Sequence, residues 1–294
     1  MFSVKRKCYT QVAVLGRGAF GIVYKVRENG RSGSVYALKK IEVENNEAVN
    51  KAKKEVGILD KCRHDHIVRF CGLDTTKISR STFVLILMEY CEGGNLNSRL
   101  ARTSDKETNL RWMKELASAM DYLHSKNIAH RDLKPENVLL TAQDSIKLGD
   151  FGLAREFAAV KQVNATRSIN QVLKSQSTYY METFAGSPYW MAPEVFDHKH
   201  YTKKADIFSL GTIFYSIVKR KYLITRSGMK YFGAFVKTTG GQEIGLGMAM
   251  RKNRYNMVPL DGLPDSTREL LRTMLAYDPK NRPTTKQVLQ KLQP

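Results

Sequence analysis

Cysteine, acidic residues and long apolar runs are all scarce in this sequence. Its four cysteines, Cys8, Cys62, Cys71 and Cys91, include no C-x-x-C pair and are too few for a disulfide framework in 294 residues. Cys62, His64, His66 and Cys71 crowd together, but their spacing fits none of the usual zinc patterns. The simpler reading of that stretch is a turn into a core strand. The longest strongly apolar run, Phe83 to Met88, is far too short to span a bilayer, so no membrane partner is expected. Lys5, Arg6 and Lys7 are not followed by the apolar segment that a secretory signal requires. These absences predict an intracellular chain.

Acid is outnumbered. Lys+Arg 48 against Asp+Glu 28 leaves a formal charge of +20. Residues 195–258 hold twelve Lys/Arg and three Asp/Glu, a surplus of +9 in 64 residues. Such a field attracts acidic proteins, nucleic acid or anionic surfaces and says nothing about fold. Hydrophobic residues at 42% and charged residues at 26% are an ordinary globular balance, and the length allows two substantial cores. No repeats or low-complexity tracts occur.

What is present is a set of short polar motifs in a telling order. His130 to Asn137 reads H-R-D-L-K-P-E-N, after an amphipathic helical run from Leu110 to Ser125 and before the apolar pair Val138-Leu139. Thirteen residues past Asn137 comes Asp150-Phe151-Gly152. An Asp, a Lys and an Asn at this spacing, followed by D-F-G, suit phosphoryl transfer. Asp132 is placed to accept or orient the proton of an attacking hydroxyl, and Lys134 to neutralise the phosphoryl group in flight. Asn137 and Asp150 are the residues to hold magnesium ions on nucleotide phosphates. Upstream, Gly16, Gly18 and Gly21 form a G-x-G-x-x-G string that lets backbone approach phosphates. That string also marks dinucleotide folds, but those need a helix after the third glycine. Here Ile22 to Val26 is β-branched and alternating, hence a strand.

Together these residues resemble the catalytic loop, metal site and glycine-rich loop of a eukaryotic Ser/Thr protein kinase. The resemblance implies an α+β fold, the bilobal protein kinase fold, in one domain over residues 1–294. A small β-rich lobe with one main helix is expected over 1–92, and a larger, mainly helical lobe over 93–294 that the chain closes after one more helix. It further implies ATP and Mg2+ as cofactors. Leu15, Val23, Ala37, Met88 and Leu139 are then expected around adenine, with the backbone of Glu89 and Cys91 bonding its edge. Lys39 corresponds to the lysine on the α- and β-phosphates, and Glu55 of the following helix to its ion-pair partner. Lys40 should face the other side of its strand.

The same resemblance makes 150–194 the activation segment. Its two ends, Asp150 and Glu194, lie 44 positions apart, with a polar, basic insert over 158–180. Thr183 stands where many kinases are phosphorylated, which predicts autophosphorylation, and its phosphate would pair with Arg131. Ser187 matches the hydroxyl residue that, with Lys134, marks Ser/Thr specificity. Asp206 corresponds to a scaffold carboxylate holding the catalytic-loop backbone, and Arg282 to the partner of Glu194. Glu136 could attract a basic residue of a substrate. Asn95 and Ser216 stand where basophilic kinases place acids, and with a formal charge of +20 a weak or absent demand for Arg is expected. Residues 231–237 and 241–247 resemble the small CLIK-type kinases, which are linked to the nucleus and to PDZ-LIM proteins. Three functional classes follow: an active kinase acting on Ser/Thr hydroxyls of proteins, a scaffold with a kinase fold, and a basic surface for nucleic acid. Every chemical position is filled, which favours the first. Lys219 to Lys221 and Arg251 to Arg254 carry the third, with docking of acidic proteins preferred over nucleic acid.

Overall fold

The computed structural model describes residues 1–18, 21–30, 33–156, 188–197, 201–226 and 228–293, but not the side chains of residues 46, 51, 54, 55, 153, 155 and 156. Two compact units result. One combines Met1–Gly94 with Leu139–Arg155, the other Asn95–Val138 with Glu156–Pro294.

In the first unit, six strands rich in β-branched and aromatic residues form one antiparallel sheet. They are β1 (Phe2–Val4), β2 (Lys7–Gly18), β3 (Gly21–Glu28), β4 (Val35–Val43), β5 (Phe70–Ile78) and β6 (Ser81–Glu89), in the order β1-β2-β3-β4-β6-β5. Alternation along the strands sorts two cores. Leu38, Leu85 and Leu87 pack with Val4, Tyr9 and Val26 on one face. Val84 and Ile86 pack on the other against Val49, Ala52 and Val56 of helix α1 (Asn46–Lys61). The Asn45 side chain starts α1 by accepting from the Ala48 N–H, which satisfies one otherwise orphaned donor.

The segment Cys62 to Val68 is the turn into this sheet. Ile67 and Val68 are buried, and Val68 N donates to Leu148 O while Leu148 N donates to His66 O. Those bonds bind the turn to β9 (Ile146–Leu148), which pairs with β8 (Val138–Leu140). His64 serves the turn through its Nδ1, which accepts from His66 N at 3.1 Å. Among the described residues no cluster of three His, Cys, Asp or Glu is placed to hold a metal.

The second unit is mainly helical. Its elements include α2 (Leu96–Arg99), α3 (Lys106–Ser125), α4 (Pro193–Phe196), α5 (Lys203–Lys219), α6 (Leu246–Lys252), α7 (Asp265–Met274) and α8 (Thr285–Leu292). Helix α3 begins four residues before the apolar pattern does, because Asp105 caps it by accepting from Thr108 N at 2.6 Å. A charged first turn carries no hydrophobic periodicity, so only the cap announces it. Every residue of α5 from Ala205 to Ile217 is buried, as expected of a helix that is apolar on all sides. No helix among the described residues is long and apolar enough to cross a membrane.

Two-residue strands β7 (Ile128–Ala129) and β10 (Arg155–Glu156) precede two small hairpins in chain order. The first hairpin joins β11 (Tyr222–Ile224) to β12 (Lys230–Phe232), and the second joins β13 (Phe235–Lys237) to β14 (Glu243–Gly245). Gly245 at the end of the second hairpin and Gly247 in α6 let this part of the chain abut the backbone of Tyr189 to Met191. A Cβ on Gly245 would lie 2.6 Å from Tyr189 O, and one on Gly247 2.0 Å from Met191 O.

Candidate active site

The residues expected around adenine and the α- and β-phosphates lie in the first unit, while Asn137 lies in the second. Cross-strand register makes neighbours of them: Val23 faces Lys39, and Ala37 faces Met88. Leu15 is 45% exposed on β2, and Leu139 is half-buried in β8. Strand alternation separates the two lysines of β4. Lys40 Nζ lies 3.8 Å from the Phe83 ring centroid on the face of the first core. Lys39 takes the α1 face, where its Nζ donates to Asp150 Oδ1 at 3.0 Å. Asp150 itself adopts a left-handed backbone, φ 52°, as its side chain accepts from Gly152 N. Glu55 lies in α1, with its side chain outside the described residues.

The glycine loop shows two kinds of glycine. Gly21 has φ +114°, and a Cβ there would stand 2.1 Å from the Lys40 carbonyl oxygen. Gly16 and Gly18 have nothing within 4 Å of the same position. Gly21→Ala is therefore expected to destabilise the first unit, by roughly 1–3 kcal/mol from backbone strain alone. Gly16→Ala should leave the melting transition unchanged and act only on nucleotide affinity. Parallel thermal melts and nucleotide titrations of the two variants check this, and equal melting losses would refute it.

Where β6 ends, Glu89 is tied down. Its N–H donates to Arg69 O at 3.0 Å, its carboxylate accepts from Arg69 N at 2.9 Å, and Lys147 pairs with it at 3.0 Å. Burial, reinforced by the Glu89 charge, pushes the Cys91 thiol up to about 12, so it stays protonated and inert near neutrality.

The catalytic-loop residues lie in the second unit, and Asp206 holds their backbone. Its carboxylate is fully buried and accepts from His130 N at 2.9 Å and Arg131 N at 3.0 Å. His124 Nε2 lies 2.9 Å from it, and Tyr201 donates its hydroxyl at 2.6 Å. Burial pushes this carboxyl up, but His124, Tyr201 and the Arg131 N–H together outweigh it and hold the group below the usual carboxylate range. Arg131 is bent into a left-handed conformation, φ 70°, with its guanidinium 5.2 Å from the Tyr201 ring centroid.

Asp132, Lys134 and Asn137 converge. Asp132 Oδ2 receives Lys134 Nζ at 3.0 Å and Asn137 Nδ2 at 2.9 Å. Asn137 Nδ2 also donates to Asp132 O at 2.8 Å, which fixes the amide and leaves its Oδ1 as an acceptor with no protein donor among the described residues. An oxygen donor of this kind suits a hard divalent cation, as does the Asp150 carboxylate.

Glu136 differs from its neighbours. Its Oε2 is buried and without a hydrogen bond in the described structure. Burial pushes the carboxyl up to about 7, against the pull of its own backbone N–H and of Lys134, with Asp132 adding to the rise. The folded state thus holds the proton longer than the unfolded chain does. Its contribution to stability is full below the ordinary glutamate range and is lost as pH rises through about 7. Glu136→Gln should accordingly stabilise the protein more near pH 8 than near pH 5, by on the order of 1–3 kcal/mol in denaturant melts. A difference that does not change with pH would contradict the assignment.

Glu194, at the start of α4, meets Arg282 in a bidentate pair, Nη1 to Oε1 at 2.6 Å and Nη2 to Oε2 at 2.9 Å. Thr183, Ser187 and the 158–180 insert lie outside the described residues. Sequence reasoning passed over His124 and Tyr201 as partners of Asp206. Leu123-His124, six positions before His130, was the available signal, but a histidine ending an amphipathic helix does not declare what it faces.

With that geometry in place, comparison with known proteins is direct. The protein kinase domain model matches residues 9–292. A putative serine/threonine-protein kinase A of Trypanosoma brucei brucei is 30% identical over 96% of this chain and 59% of its own length. Serine/threonine-protein kinase Nek3 of Mus musculus is 31% identical over 73% of this chain and 38% of its own, and Nek2 of Homo sapiens is 29% identical over 96% and 58%. The chain belongs to the protein kinase domain family, with its α+β fold. It spans less than two thirds of each of these relatives.

Proposed function

We propose that the chain is an active protein serine/threonine kinase that transfers the γ-phosphoryl group of Mg-ATP to Ser/Thr hydroxyls of proteins, its own activation segment among them. The observation that carries this reading is the Asp132–Lys134–Asn137 arrangement, whose hydrogen bonds orient one carboxylate and one amide oxygen. Family membership and the serine/threonine kinases it resembles support the acceptor type.

In this reading Asp132 orients the acceptor hydroxyl and takes its proton, and Lys134 offsets charge on the phosphoryl oxygens. Lys39, held by Asp150 and expected to pair with Glu55, binds the α- and β-phosphates. Leu15, Val23, Ala37, Met88 and Leu139 enclose adenine. The backbone of Glu89, whose N–H is bonded to Arg69 O, and that of Cys91 would bond the adenine edge. Asn137 Oδ1 and Asp150 would hold a divalent cation, which supplies charge neutralisation on the phosphates. Gly16, Gly18 and Gly21 let the hairpin backbone reach those phosphates.

Phosphorylated Thr183 would pair with Arg131, and Ser187 with Lys134 would favour hydroxyls on aliphatic side chains. Burial pushes the Glu136 carboxyl up to about 7, which supports a weak or absent demand for Arg. The CLIK-type likeness of residues 231–237 and 241–247, a nuclear or cytoplasmic location, and docking of acidic proteins on the basic second unit belong to the same reading.

The deciding experiment is phosphate transfer from Mg-ATP by the purified chain beside Asp150→Asn, followed by mapping of modified sites. Incorporation on Thr183 or the 158–180 insert that disappears in the variant is expected. Nucleotide binding without any transfer, with protein substrates supplied, would turn the reading toward a scaffold.

A further inference from the structure

No Asp or Glu occurs between Asp206 and Glu243, yet that run contains six Lys/Arg. The fold consumes some of them. Arg220 donates to Leu100 O, Arg102 O and Asn109 Oδ1, each at 3.1 Å, and also to Ser104. Lys219 donates to Asp261 O, and Lys221 lies 3.7 Å from Glu243. Arg226 and Lys230 are exposed and have no carboxylate partner among the described residues. Both sit on the β11–β12 hairpin, Arg226 in its turn and Lys230 over the Tyr222 ring at 4.7 Å.

The two edges of this hairpin are unlike. Gly233 N donates to Lys221 O and Thr225 N to Met229 O, so the alternate residues 230 and 232 direct their backbone groups outward from β12. Three of those four groups are taken. Asn97 receives Phe232 N at 2.9 Å and donates to Lys230 O at 2.8 Å, and Trp190 Nε1 donates to Phe232 O at 3.0 Å. By the same alternation Tyr222 and Ile224 direct their N–H and C=O outward from β11, and these meet no partner among the described residues. Beside them the side chains are apolar and in solvent, Tyr222 41%, Ile224 58% and Met229 54% exposed. An edge strand with open backbone groups and apolar side chains, free of proline and of inward charge, is ready to pair with another chain.

We propose that the open edge of β11 is a docking site for an extended segment of a partner protein that alternates acidic and β-branched residues. The segment adds as a third strand along Tyr222 to Ile224, sets its apolar side chains on the face that carries Leu223 and Met229, and places carboxylates on the opposite face toward Lys230, with Arg226 in the turn beside them. This rests on reading the basic second unit as a surface for proteins, and not on phosphoryl transfer. Two cations on this hairpin without a carboxylate partner among the described residues are few for nucleic acid, where firm binding neutralises about 6–10 phosphates. An in-plane row of backbone donors and acceptors matches a peptide backbone and nothing in a lipid headgroup layer.

The test uses the full chain and a fluorescein-labelled peptide alternating glutamate with valine, read by anisotropy and amide hydrogen exchange. Three controls accompany it: the same composition in two blocks, phosphatidylserine vesicles, and duplex DNA. Binding of the alternating peptide is expected, with exchange slowed at the Tyr222 and Ile224 amides and not at Leu223. Ile224→Pro deletes an outward N–H and no hairpin bond, and Arg226→Glu with Lys230→Glu inverts the charge. Each should weaken the peptide by about tenfold while phosphate transfer to a generic peptide stays unchanged. No binding by the parent chain would overturn the proposal, as would binding that both variants retain. Preferential capture of vesicles or DNA, lost in the same variants, would overturn it in favour of those surfaces.

Discussion

Asp132→Asn should lower turnover by roughly 10²–10⁴ at saturating ATP, the loss expected when a positioned general base is removed. The substitution is isosteric, so the amide oxygen can still receive Lys134 and Asn137, which meet Asp132 Oδ2 at 3.0 and 2.9 Å in the parent chain. The fold should survive, with an unchanged melting temperature as the control. What would disappear, under the proposed assignment, is the acceptor for the hydroxyl proton. Nucleotide affinity should stay within about twofold, because a residue acting only in the transition state moves turnover and not ground-state binding. The residues assigned to the nucleotide, Lys39 and Asp150, lie in the other unit and pair with each other at 3.0 Å. Steady-state rates with a protein substrate, set beside an ATP-binding titration, separate the two effects. Near-parent turnover in the variant would remove Asp132 from the chemistry.

The second large effect is expected on stability, at Arg282. This guanidinium is 1% exposed, and all five of its N–H groups are used. Nε donates to Ala276 O at 2.8 Å, Nη1 to Glu194 Oε1 at 2.6 Å and Lys204 O at 2.9 Å, and Nη2 to Glu194 Oε2 at 2.9 Å and Tyr277 O at 3.0 Å. Arg282→Ala would strand the Glu194 carboxylate, itself 9% exposed, together with three carbonyls. Removing one partner of a buried pair costs about 3–5 kcal/mol. At about 2–4 °C per kcal/mol for a protein of this size, the melting point should fall by roughly 6–20 °C. Arg282→Lys should recover little, since an ammonium has three donors and no planar fork. Arg282→Met combined with Glu194→Gln should recover more, because no buried charge then stays unpaired. A melting point for Arg282→Ala within a degree or two of the parent chain would show that the pair is decorative.

Much of the candidate site was legible because its residues are local in sequence. His130 to Asn137 and Asp150 to Gly152 point to phosphoryl transfer through residue type and spacing alone. The strand after Gly21 was legible from β-branched alternation, and the buried α5 from an apolar run with no polar face. Boundaries were less so: α3 starts at a charged turn whose only sign is the Asp105 cap.

Partnership across long sequence separations was not legible. Asp206 and His124 are 82 positions apart, and Glu136 reveals nothing in its eight-residue motif of the burial that pushes its carboxyl up to about 7. The basic surplus of residues 195–258 was plain from composition, but not which cations the fold would consume. Arg220 is spent on α3 and its approach, while Arg226 and Lys230 are left in solvent. Nor could the sequence tell the two edges of the β11–β12 hairpin apart, since Asn97 reaches β12 from 133 positions away. By itself the sequence determined the chemical inventory and the family, because both reside in short contiguous motifs. The tertiary structure alone decided which groups are buried, paired or left open, because desolvation and hydrogen bonding depend on neighbours that the order of residues does not name.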